Sequence, residues 1–302
     1  MADMTAAPAR DNLRGILYMN IGIFLLSVMD AVAKWLVEAD YPVIQILAVR
    51  GWLITIAMLF WAQMRGGIIP TLKTSRWKMH AIRTTIGIAA PFCFFTALKT
   101  MPLADATVIF FAAPFIMTAL SVPLLKETVG PHRWAAVIVG FIGVVIVMQP
   151  GSDAFQFTAL IVFIGCVAYA LINIMTRWLS STDSAFQIVF YFNLGTALIA
   201  SAIAPFFWTS MTWEHFGVVG LMATLALAGH IYMTMGFRVG EISVIVPFEY
   251  TSLIWSVLIG YWVWNDLPAE HVWLGAAIII GGGLYIIHRE RPRKPKVILP
   301  DV

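Results

Sequence analysis

Ten apolar runs, most of them close to 20 residues long, follow one another along this chain of 302 residues. A helix needs about 20 apolar residues to cross the roughly 30 Å of hydrocarbon in a bilayer. A closed β-barrel, the other structure that satisfies its backbone in lipid, needs alternating strands of about 10 residues, and these runs do not alternate. We therefore predict an all-α integral membrane protein with ten transmembrane helices. The predicted spans are residues 13–38, 42–64, 77–100, 104–124, 132–149, 157–179, 184–207, 212–238, 242–265 and 271–289.

The composition excludes an ordinary soluble domain. Hydrophobic residues make up 60% of the chain and charged residues 12%, against roughly 45–50% and 25% in soluble proteins. The net charge of +3 is not a nucleic-acid footprint, because the basic residues stand beside apolar spans and not on one continuous face. Cys93 and Cys166 lie in apolar runs without metal-ligand spacing, so we expect small buried hydrophobes. The N-terminus lacks the features of a cleaved signal peptide, and we expect the first run to remain in the protein.

The chain also repeats itself at about half its length. Residues 98–147 align without a gap on residues 237–286, at an offset of 139, and a second run aligns at an offset of 143. Equivalent positions are Glu127 and Asp266, Lys99 and Arg238, Gly22 and Gly165, Asp30 and Asn173, and Lys34 and Arg177. Internal repeats that move against each other around a midplane site are the usual construction of secondary carriers.

The basic residues set the predicted orientation. With the N-terminus in the cytoplasm, all of the 19 lysines and arginines except Lys34, Lys99 and Arg50 fall on the cytoplasmic side. Both termini are then cytoplasmic. Each repeat holds five helices, an odd number, so the second repeat enters the membrane from the opposite side and the repeats are inverted. The predicted division is a tail at 1–12, a first repeat at 13–150, a second repeat at 151–290 and a basic tail at 291–302.

Short segments recur in both halves. They are residues 103–106 (Leu-Ala-Asp-Ala), 113–115 (Ala-Pro-Phe), 125–127 (Leu-Lys-Glu), Gly140 and 143–144, followed by residues 242–244, 247–250 (Pro-Phe-Glu-Tyr), 264–266 (Trp-Asn-Asp), 273–275 and 281–283. This set resembles the EamA domain, the repeat unit of the drug/metabolite transporter superfamily. The resemblance implies a permease of the bacterial inner membrane, with a cavity between the repeats lined mainly by the first four helices of each.

The resemblance also bears on the substrate. Bacterial members with Pro-Phe-acidic-Tyr in the ninth helix include carriers of S-adenosylmethionine, riboflavin and amino acids. The superfamily also includes drug exporters and sugar-phosphate exchangers, so several substrate classes stay open.

Asp30 and Arg50 are charged residues within predicted spans, where a charge at the helix centre costs at least about 2.5 kcal/mol. At a rise of about 1.5 Å per residue, both lie at similar depth on consecutive helices. One interpretation is a structural ion pair between the first two helices. The other makes Arg50 the partner of a substrate carboxylate or phosphate, with Asp30 as its counter-ion in the empty site. The sequence leaves both open.

Glu249 and His230 form a second polar layer, with Asn173 at similar depth on the sixth helix. A carboxylate at this depth needs water, a cation or a proton, and histidine titrates near neutral pH. Glu249 and His230 are therefore candidates for proton coupling or for binding an amine together. Tyr250 and Trp255 could stack on a cationic or aromatic substrate. The alternative is that His230 only bonds a neighbouring helix and the aromatic residues only pack.

Other residues have predicted structural roles. Pro91, Pro114 and Pro247 fall within spans, where proline removes a backbone hydrogen bond, so we expect kinks and treat them as candidate hinges. Glu127 and Asp266 are expected to cap helices or to pair in loops. Four basic residues near span ends are expected to extend to the membrane interface: Lys34, Lys99, Arg177 and Arg238.

The sequence does not support an enzyme. It has no Gly-rich phosphate loop, His-Glu-x-x-His motif, paired metal ligands or nucleophile elbow, so we predict no cofactor and no metal site. The predicted function is secondary active transport, by alternating access, of an amino acid or another amine-bearing zwitterion, S-adenosylmethionine-like molecules included. Protons are a candidate coupling ion. The alternatives are an exporter of drugs or organic cations, and a structural membrane protein. The partners are substrate and lipid, and both a monomer and a homodimer fit the sequence.

Overall fold

The computed structural model describes residues 11–150 and 157–289, and all regular secondary structure in these ranges is helical. The predicted tails lie outside the described residues, except for Asp11 and Asn12. In chain order the α-helices are α1 Asn12–Glu38, α2 Val43–Met64, α3 Ile68–Leu72, α4 Trp77–Gly87, α5 Ala89–Ala97, α6 Leu103–Phe110, α7 Ala113–Leu125, α8 Pro131–Met148, α9 Phe157–Leu179, α10 Ala185–Ile203, α11 Trp213–Val239, α12 Ile242–Ile245, α13 Thr251–Trp264 and α14 Glu270–Arg289. Two 3₁₀ helices span Ala204–Phe207 and Val246–Tyr250. The all-α prediction is confirmed.

Eight helical segments in the described ranges are long and apolar enough to cross a membrane. They are α1, α2, α6 with α7, α8, α9, α10 with the 3₁₀ helix that follows it, α11 and α14. The other two predicted spans are also helical but divided: 77–100 into α4 and α5, and 242–265 into α12, a 3₁₀ helix and α13. The outside of the bundle is apolar, with Ile56, Phe60 and Trp262 more than half exposed. Such a surface is expected where helices contact lipid.

Two of the three candidate hinge prolines explain where helices end. Helix α4 ends at Gly87, four residues before Pro91, and α6 ends at Phe110, four residues before Pro114. Proline lacks the N–H that would bond the carbonyl four residues back, and its ring crowds that carbonyl. Pro247 lies in the 3₁₀ helix between α12 and α13. The predicted interruptions are present at all three prolines, and their role as hinges stays a prediction.

The helices pair in a regular exchange pattern. Helix α1 packs along α11 and also contacts α13, while α9, its equivalent by position in the second half, packs along α4 and α5 and also contacts α6 and α7. The pairs α2–α10, α6–α13 and α8–α14 each join one helix of the first half to the corresponding helix of the second. The contacts are therefore conserved when the two halves are exchanged, as expected for halves related by a pseudo-two-fold axis.

Glycine allows the close approach of two of these helix pairs. A Cβ added to Gly22 in α1 would lie 2.8 Å from the carbonyl oxygen of Gly229 in α11. At Gly165, the repeat equivalent of Gly22, an added Cβ would lie 3.2 Å from the carbonyl oxygen of Ala90 in α5. Small residues at the contact let helix backbones pack closely in lipid. The same device therefore recurs at equivalent positions of the two halves.

Helices α8 and α14 run antiparallel. A Cβ added to Gly143 would lie 3.1 Å from the carbonyl oxygen of Gly275, and one added to Gly282 would lie 3.6 Å from that of Ala136. Positions later in α8 thus face positions earlier in α14. The loops that precede these two helices consequently lie at opposite ends of the bundle.

These two ends are named here for the basic residue that contacts each loop. Lys34 of α1 contacts Asp266 in the loop before α14, at the Lys34 end. Arg177 of α9 contacts Glu127 in the loop before α8, at the Arg177 end.

Candidate functional site

Three ionisable side chains from different helices form the Arg50 group. Arg50 of α2 lies within electrostatic reach of Asp30 of α1 and His230 of α11. The side chains of Asp30 and Arg50 are half-buried, whereas that of His230 is exposed. A small-molecule site needs a few converging polar groups of this kind that a ligand can still reach.

Arg50 has no hydrogen-bond or ion-pair partner among the described residues, and its Nε is shielded from solvent without an acceptor. Asp30 interacts with it electrostatically but makes no ion pair with it in the part of the chain that the structure describes. A buried charge is costly unless it is paired and hydrogen-bonded. The described residues thus do not form the direct Asp30–Arg50 ion pair that one interpretation of the sequence predicts, and Arg50 keeps the cost of an unpaired charge.

His230 is oriented by its own helix. Its Nδ1–H donates to the carbonyl oxygen of Ala226, one turn earlier, at 2.6 Å. In the neutral ring this hydrogen bond leaves Nε2 as the acceptor. His230 can therefore accept a hydrogen bond from a ligand or take up a second proton.

A second set of candidate residues lines a cavity of 360 Å³, which we call the Glu249 cavity. Glu249 and Tyr250 lie in the 3₁₀ helix that precedes α13, and Asn173 lies on α9. Arg177 and Glu127, the ion pair that names the Arg177 end, line the same cavity. Both halves of the chain therefore contribute to its walls, and it extends to the Arg177 end.

Aromatic side chains surround Glu249. The ring of Phe111 packs edge-on against Tyr250, with ring centroids 5.1 Å apart. Tyr169, which the sequence did not single out, lies within electrostatic reach of Glu249. It precedes Asn173 by one helical turn, and the Asn173 side-chain amide donates to the Tyr169 backbone carbonyl at 2.8 Å. A search for polar residues four positions from Asn173 on the same helix face would have found it.

The predicted His230–Glu249 pair is not formed. Glu249 lines the Glu249 cavity, whereas His230 does not and has Arg50 as its charged neighbour. The two residues lie at similar depth, but depth along a helix does not specify which neighbouring helix a side chain faces. Trp255 packs edge-on against Phe24, with ring centroids 4.8 Å apart, and its indole Nε1 is buried without an acceptor among the described residues.

Lys34 does not extend to the membrane interface, contrary to the prediction, because only 5% of its side chain is exposed. Its ammonium donates to the backbone carbonyl of Met101 and to Asp266, both at 3.2 Å, and lies 3.5 Å from Glu38. The ring of Trp264 lies 5.0 Å away, and its indole N–H donates to Glu38. The protein therefore supplies the acceptors that a snorkelling lysine would find in water. We call these five residues the Lys34 cluster.

Asp105 adds a further carboxylate beside this cluster. It lies within electrostatic reach of Asp266 and Lys34, and its Oδ1 is buried without a hydrogen-bond partner among the described residues. The sequence placed Asp105 only in a family-like segment and assigned it no role. Over residues 11–150 and 157–289, no three His, Cys, Asp or Glu side chains are grouped so that they could hold a metal ion.

The other basic residues near span ends differ from Lys34. Arg177 and Lys99 are exposed over 65% and 54% of their side chains. Arg177 pairs with Glu127 at 2.7 Å, and Lys99 pairs with Asp40 at 2.8 Å. The side chain of Arg238 lies outside what the structure describes.

Residues 13–149, covering α1 to α8, match the EamA-like transporter family. The match covers the first half of the chain, which is therefore similar to one EamA-like unit. A solved structure, described as "Crystal structure of protein", has a similar fold, with a TM-score of 0.62 and 20% sequence identity over 91% of this chain and 98% of that one. The described helices of this EamA-like chain are thus arranged as in a known structure.

Two curated relatives align along nearly their whole length with this EamA-like chain. An S-adenosylmethionine uptake transporter of Rickettsia prowazekii is 25% identical over 92% of this chain and 94% of the relative. A riboflavin transporter of Rhizobium johnstonii is 27% identical over 93% and 94%. The likeness therefore includes the second half of the chain. The family and these relatives point to a small-molecule transporter and not to an enzyme.

Proposed function

We propose that this EamA-like transporter carries an amine-bearing zwitterion, either an amino acid or a larger molecule with an amino-acid head group such as S-adenosylmethionine. The observation that carries the proposal is Arg50, which has no hydrogen-bond or ion-pair partner among residues 11–150 and 157–289 and lies near a carboxylate that it does not contact. A guanidinium binds a carboxylate through two parallel hydrogen bonds. The substrate carboxylate would bind Arg50, and its ammonium would bind Asp30.

The proposed architecture is ten spans in two inverted repeats, residues 13–150 and 151–290, in a bacterial inner membrane with both termini cytoplasmic. The two divided segments, α4 with α5 and α12 with α13, would supply the spans beyond the eight continuous ones. The exchange pattern of helix contacts supports this arrangement. Inverted repeats allow alternating access, because the halves can exchange conformations and open the site to each side in turn.

Within this proposal, Glu249 is the candidate coupling residue. It is half-buried within a predicted span, at the wall of the Glu249 cavity, so it stays ionised only with a cation or water nearby and otherwise holds a proton. His230 belongs to the Arg50 group and would act on the substrate directly, by accepting a hydrogen bond at Nε2. The two residues would therefore affect different properties, coupling and substrate affinity.

Uptake into proteoliposomes tests the proposal. We expect wild-type protein to accumulate or exchange radiolabelled amino acids or S-adenosylmethionine with saturation, and Arg50→Gln and Asp30→Asn to lose this flux. Arg65→Gln is the matched control, because Arg65 is exposed and rests over the Trp61 ring 4.7 Å away, remote from the Arg50 group. Full flux in Arg50→Gln would contradict the proposed site.

A second candidate function, export of organic cations, is favoured by the aromatic walls around Glu249. Cations bind over aromatic faces and beside carboxylates. The same proteoliposomes distinguish the two functions, because flux of a quaternary ammonium would depend on Glu249 and not on Arg50. Flux of a zwitterion would depend on Arg50.

A further inference from the structure

Two ion pairs join the first half of the chain to the second, one at each end of the bundle. At the Lys34 end, Lys34 of α1 pairs with Asp266 in the loop before α14, at 3.2 Å. At the Arg177 end, Arg177 of α9 pairs with Glu127 in the loop before α8, at 2.7 Å. Each pair therefore connects a first-half residue to a second-half residue.

The two ion pairs are equivalent under the internal repeat. Lys34 aligns with Arg177 at an offset of 143, and Glu127 aligns with Asp266 at an offset of 139. Contacts between the halves exchange the members, so the basic residue of each half meets the acidic residue of the other. A pseudo-two-fold axis between the halves produces this crossed pairing.

The backbone before each acidic residue is also equivalent. Lys126 ends α7 and Asn265 ends α13, and both have φ of 56°. A left-handed residue at this position stops a helix and redirects the chain. Glu127 and Asp266, the next residues, therefore leave their helices in the same way, one at each end of the bundle.

The surroundings of the two pairs differ. At the Lys34 end the ammonium is buried, with 5% of the Lys34 side chain and 33% of the Asp266 side chain exposed. The backbone carbonyl of Met101 also accepts a hydrogen bond from this ammonium, and the Glu38 carboxylate lies 3.5 Å from it. Further inside the bundle, Thr107 of α6 and Ser256 of α13 bond to each other at 3.0 Å and are both buried. This end is closed by two successive layers of polar contacts between the halves.

The Arg177 pair is instead exposed and lines the Glu249 cavity. Arg177 is 65% exposed and Glu127 33% exposed, and an exposed pair contributes little to stability. A cavity of 360 Å³ lies directly against this pair. The pair at the Arg177 end can therefore separate far more easily than the pair at the Lys34 end.

We propose that Lys34–Asp266 and Arg177–Glu127 are the two gates of the transporter, and that this structure is the state in which the Lys34 gate is closed and the Arg177 gate is ready to open. The inference rests on the inverted-repeat carrier proposed above. In the opposite state the halves exchange roles: Arg177 and Glu127 become the buried pair, while Lys34 and Asp266 become exposed. Opening both gates at once would leak substrate, so the pairs form in alternation.

Thiol labelling tests the Lys34 gate without any substrate. The two native cysteines, Cys93 and Cys166, are buried and are replaced by serine. Ser256→Cys then places one thiol in the second polar layer, inside the gate, and is present in the parent and in every variant compared. A membrane-impermeant maleimide is added to right-side-out vesicles from the Lys34 end. We expect slow labelling in the parent and an increase of about tenfold or more in Lys34→Gln and in Asp266→Asn, because each change removes the ion pair that joins the two halves at this end.

Matched variants separate gating from general loosening. Lys99→Gln removes an ammonium from the same end, but its partner Asp40 belongs to the same half, so labelling should not change. Lys99 donates a direct hydrogen bond to Asp40, which lowers the pKa of that carboxyl. Lys99→Gln therefore breaks a formed ion pair, as Lys34→Gln does, but one that lies within a single half. Lys34→Arg keeps the charge and should label at the parent rate. The double variant Lys34→Asp with Asp266→Lys should label more slowly than either single charge-removing variant.

The Arg177 gate has its own reporter. Thr118→Cys, in the same cysteine-free background, places a thiol in the Glu249 cavity. Maleimide added to inside-out vesicles should label it faster in Arg177→Gln and Glu127→Gln, whereas Ser256→Cys should label no faster from the Lys34 end in these variants. Arg14→Gln removes a charge from an exposed pair with Asp11 within the first half and is the matched control.

The outcomes are decisive in each direction. Equal labelling of Ser256→Cys in the parent, Lys34→Gln and Asp266→Asn overturns the proposal, as does equal acceleration by Lys99→Gln. If Lys34→Gln does not fold, the test becomes the comparison of Asp266→Asn, expected to label faster than the parent, with Lys34→Arg, expected to label at the parent rate. Failure of the zwitterion proposal is separate, because it would show as normal gate labelling in a protein that transports no zwitterion.

Discussion

Arg50 and Arg83 are both deep arginines, yet the protein treats them differently. Arg83 donates from Nε to the hydroxyl of Thr176 at 2.9 Å, and its guanidinium lies 5.1 Å from the centroid of the Phe192 ring. Arg50 makes no such contacts among the described residues. An arginine that the protein satisfies holds helices together, whereas an arginine that it leaves unsatisfied is available to a ligand.

The first prediction compares these two arginines. Arg50→Gln should keep or raise the melting temperature, because it removes an unpaired buried charge, and should lower zwitterion transport about 100-fold or more. Arg83→Gln should lower the melting temperature, because losing a buried hydrogen-bonded partner costs about 1–3 kcal/mol. Melting curves and initial rates on the same preparations check both. A large drop in the melting temperature of Arg50→Gln would show that Arg50 stabilises the fold and would contradict its assignment to substrate binding.

The second prediction concerns Glu249. Glu249→Gln keeps the shape and removes the charge, so we expect normal folding together with loss of most transport or of its pH dependence. Initial rates at two pH values, measured beside the melting temperature, are the readout. Glu214→Gln, an exposed acid at the start of α11, is the control. Unchanged rates with unchanged pH dependence in Glu249→Gln would remove Glu249 from the mechanism.

Two helix pairs of this bundle have glycine at the positions where their backbones come closest. The contact of α1 with α11 passes through Gly22 and Gly229, and that of α9 with α5 passes through Gly165. Two further helices, α4 and α6, end four residues before a proline. The local sequence therefore specifies both where helices come close and where they break.

The third prediction tests the glycine contact of α1 with α11. Gly22→Ala should destabilise the fold by about 1–3 kcal/mol, because its Cβ would meet the Gly229 carbonyl and no rotamer change removes a backbone clash. Gly220→Ala, on α11 with nothing within 4 Å of the added Cβ, should be neutral or stabilise by up to about 1 kcal/mol. Thermal unfolding in detergent compares them. Equal melting temperatures would show that α1 and α11 can separate at no cost.

At the scale of the whole molecule, inverted halves require both termini on one side of the membrane. The fourth prediction is that reporters active only in the cytoplasm give signal when fused to either terminus, because all but three of the lysines and arginines then lie on that side or in the tails. A fusion that ends at Asp40, in the loop after α1, should report the opposite side. Signal at only one terminus would contradict the inverted arrangement and the gates built on it.

Much of the fold follows from local patterns. Apolar runs of span length that do not alternate predict helices, since a helix satisfies the backbone hydrogen bonds within the segment. The described α-helices lie inside those runs to within a residue, except for the short α3 (Ile68–Leu72) between two of them. The proline breaks and the all-α class are local consequences of the same kind. The repeat could also be read from the chain, because equivalent residues keep their spacing.

Which polar residues lie together depends on which helices pack against each other. Lys34 is buried because Asp266, 232 positions away, and the Met101 carbonyl lie beside it, and no local pattern contains that information. His230 and Glu249 have similar depth but face different neighbours. Depth is a property of one helix, whereas the rotation of a helix and the choice of its partner come from packing among all of them. The chain therefore specified its helices and their polar residues locally, and the packing of those helices grouped the polar residues into the Arg50 group, the Glu249 cavity and two ion pairs between the halves.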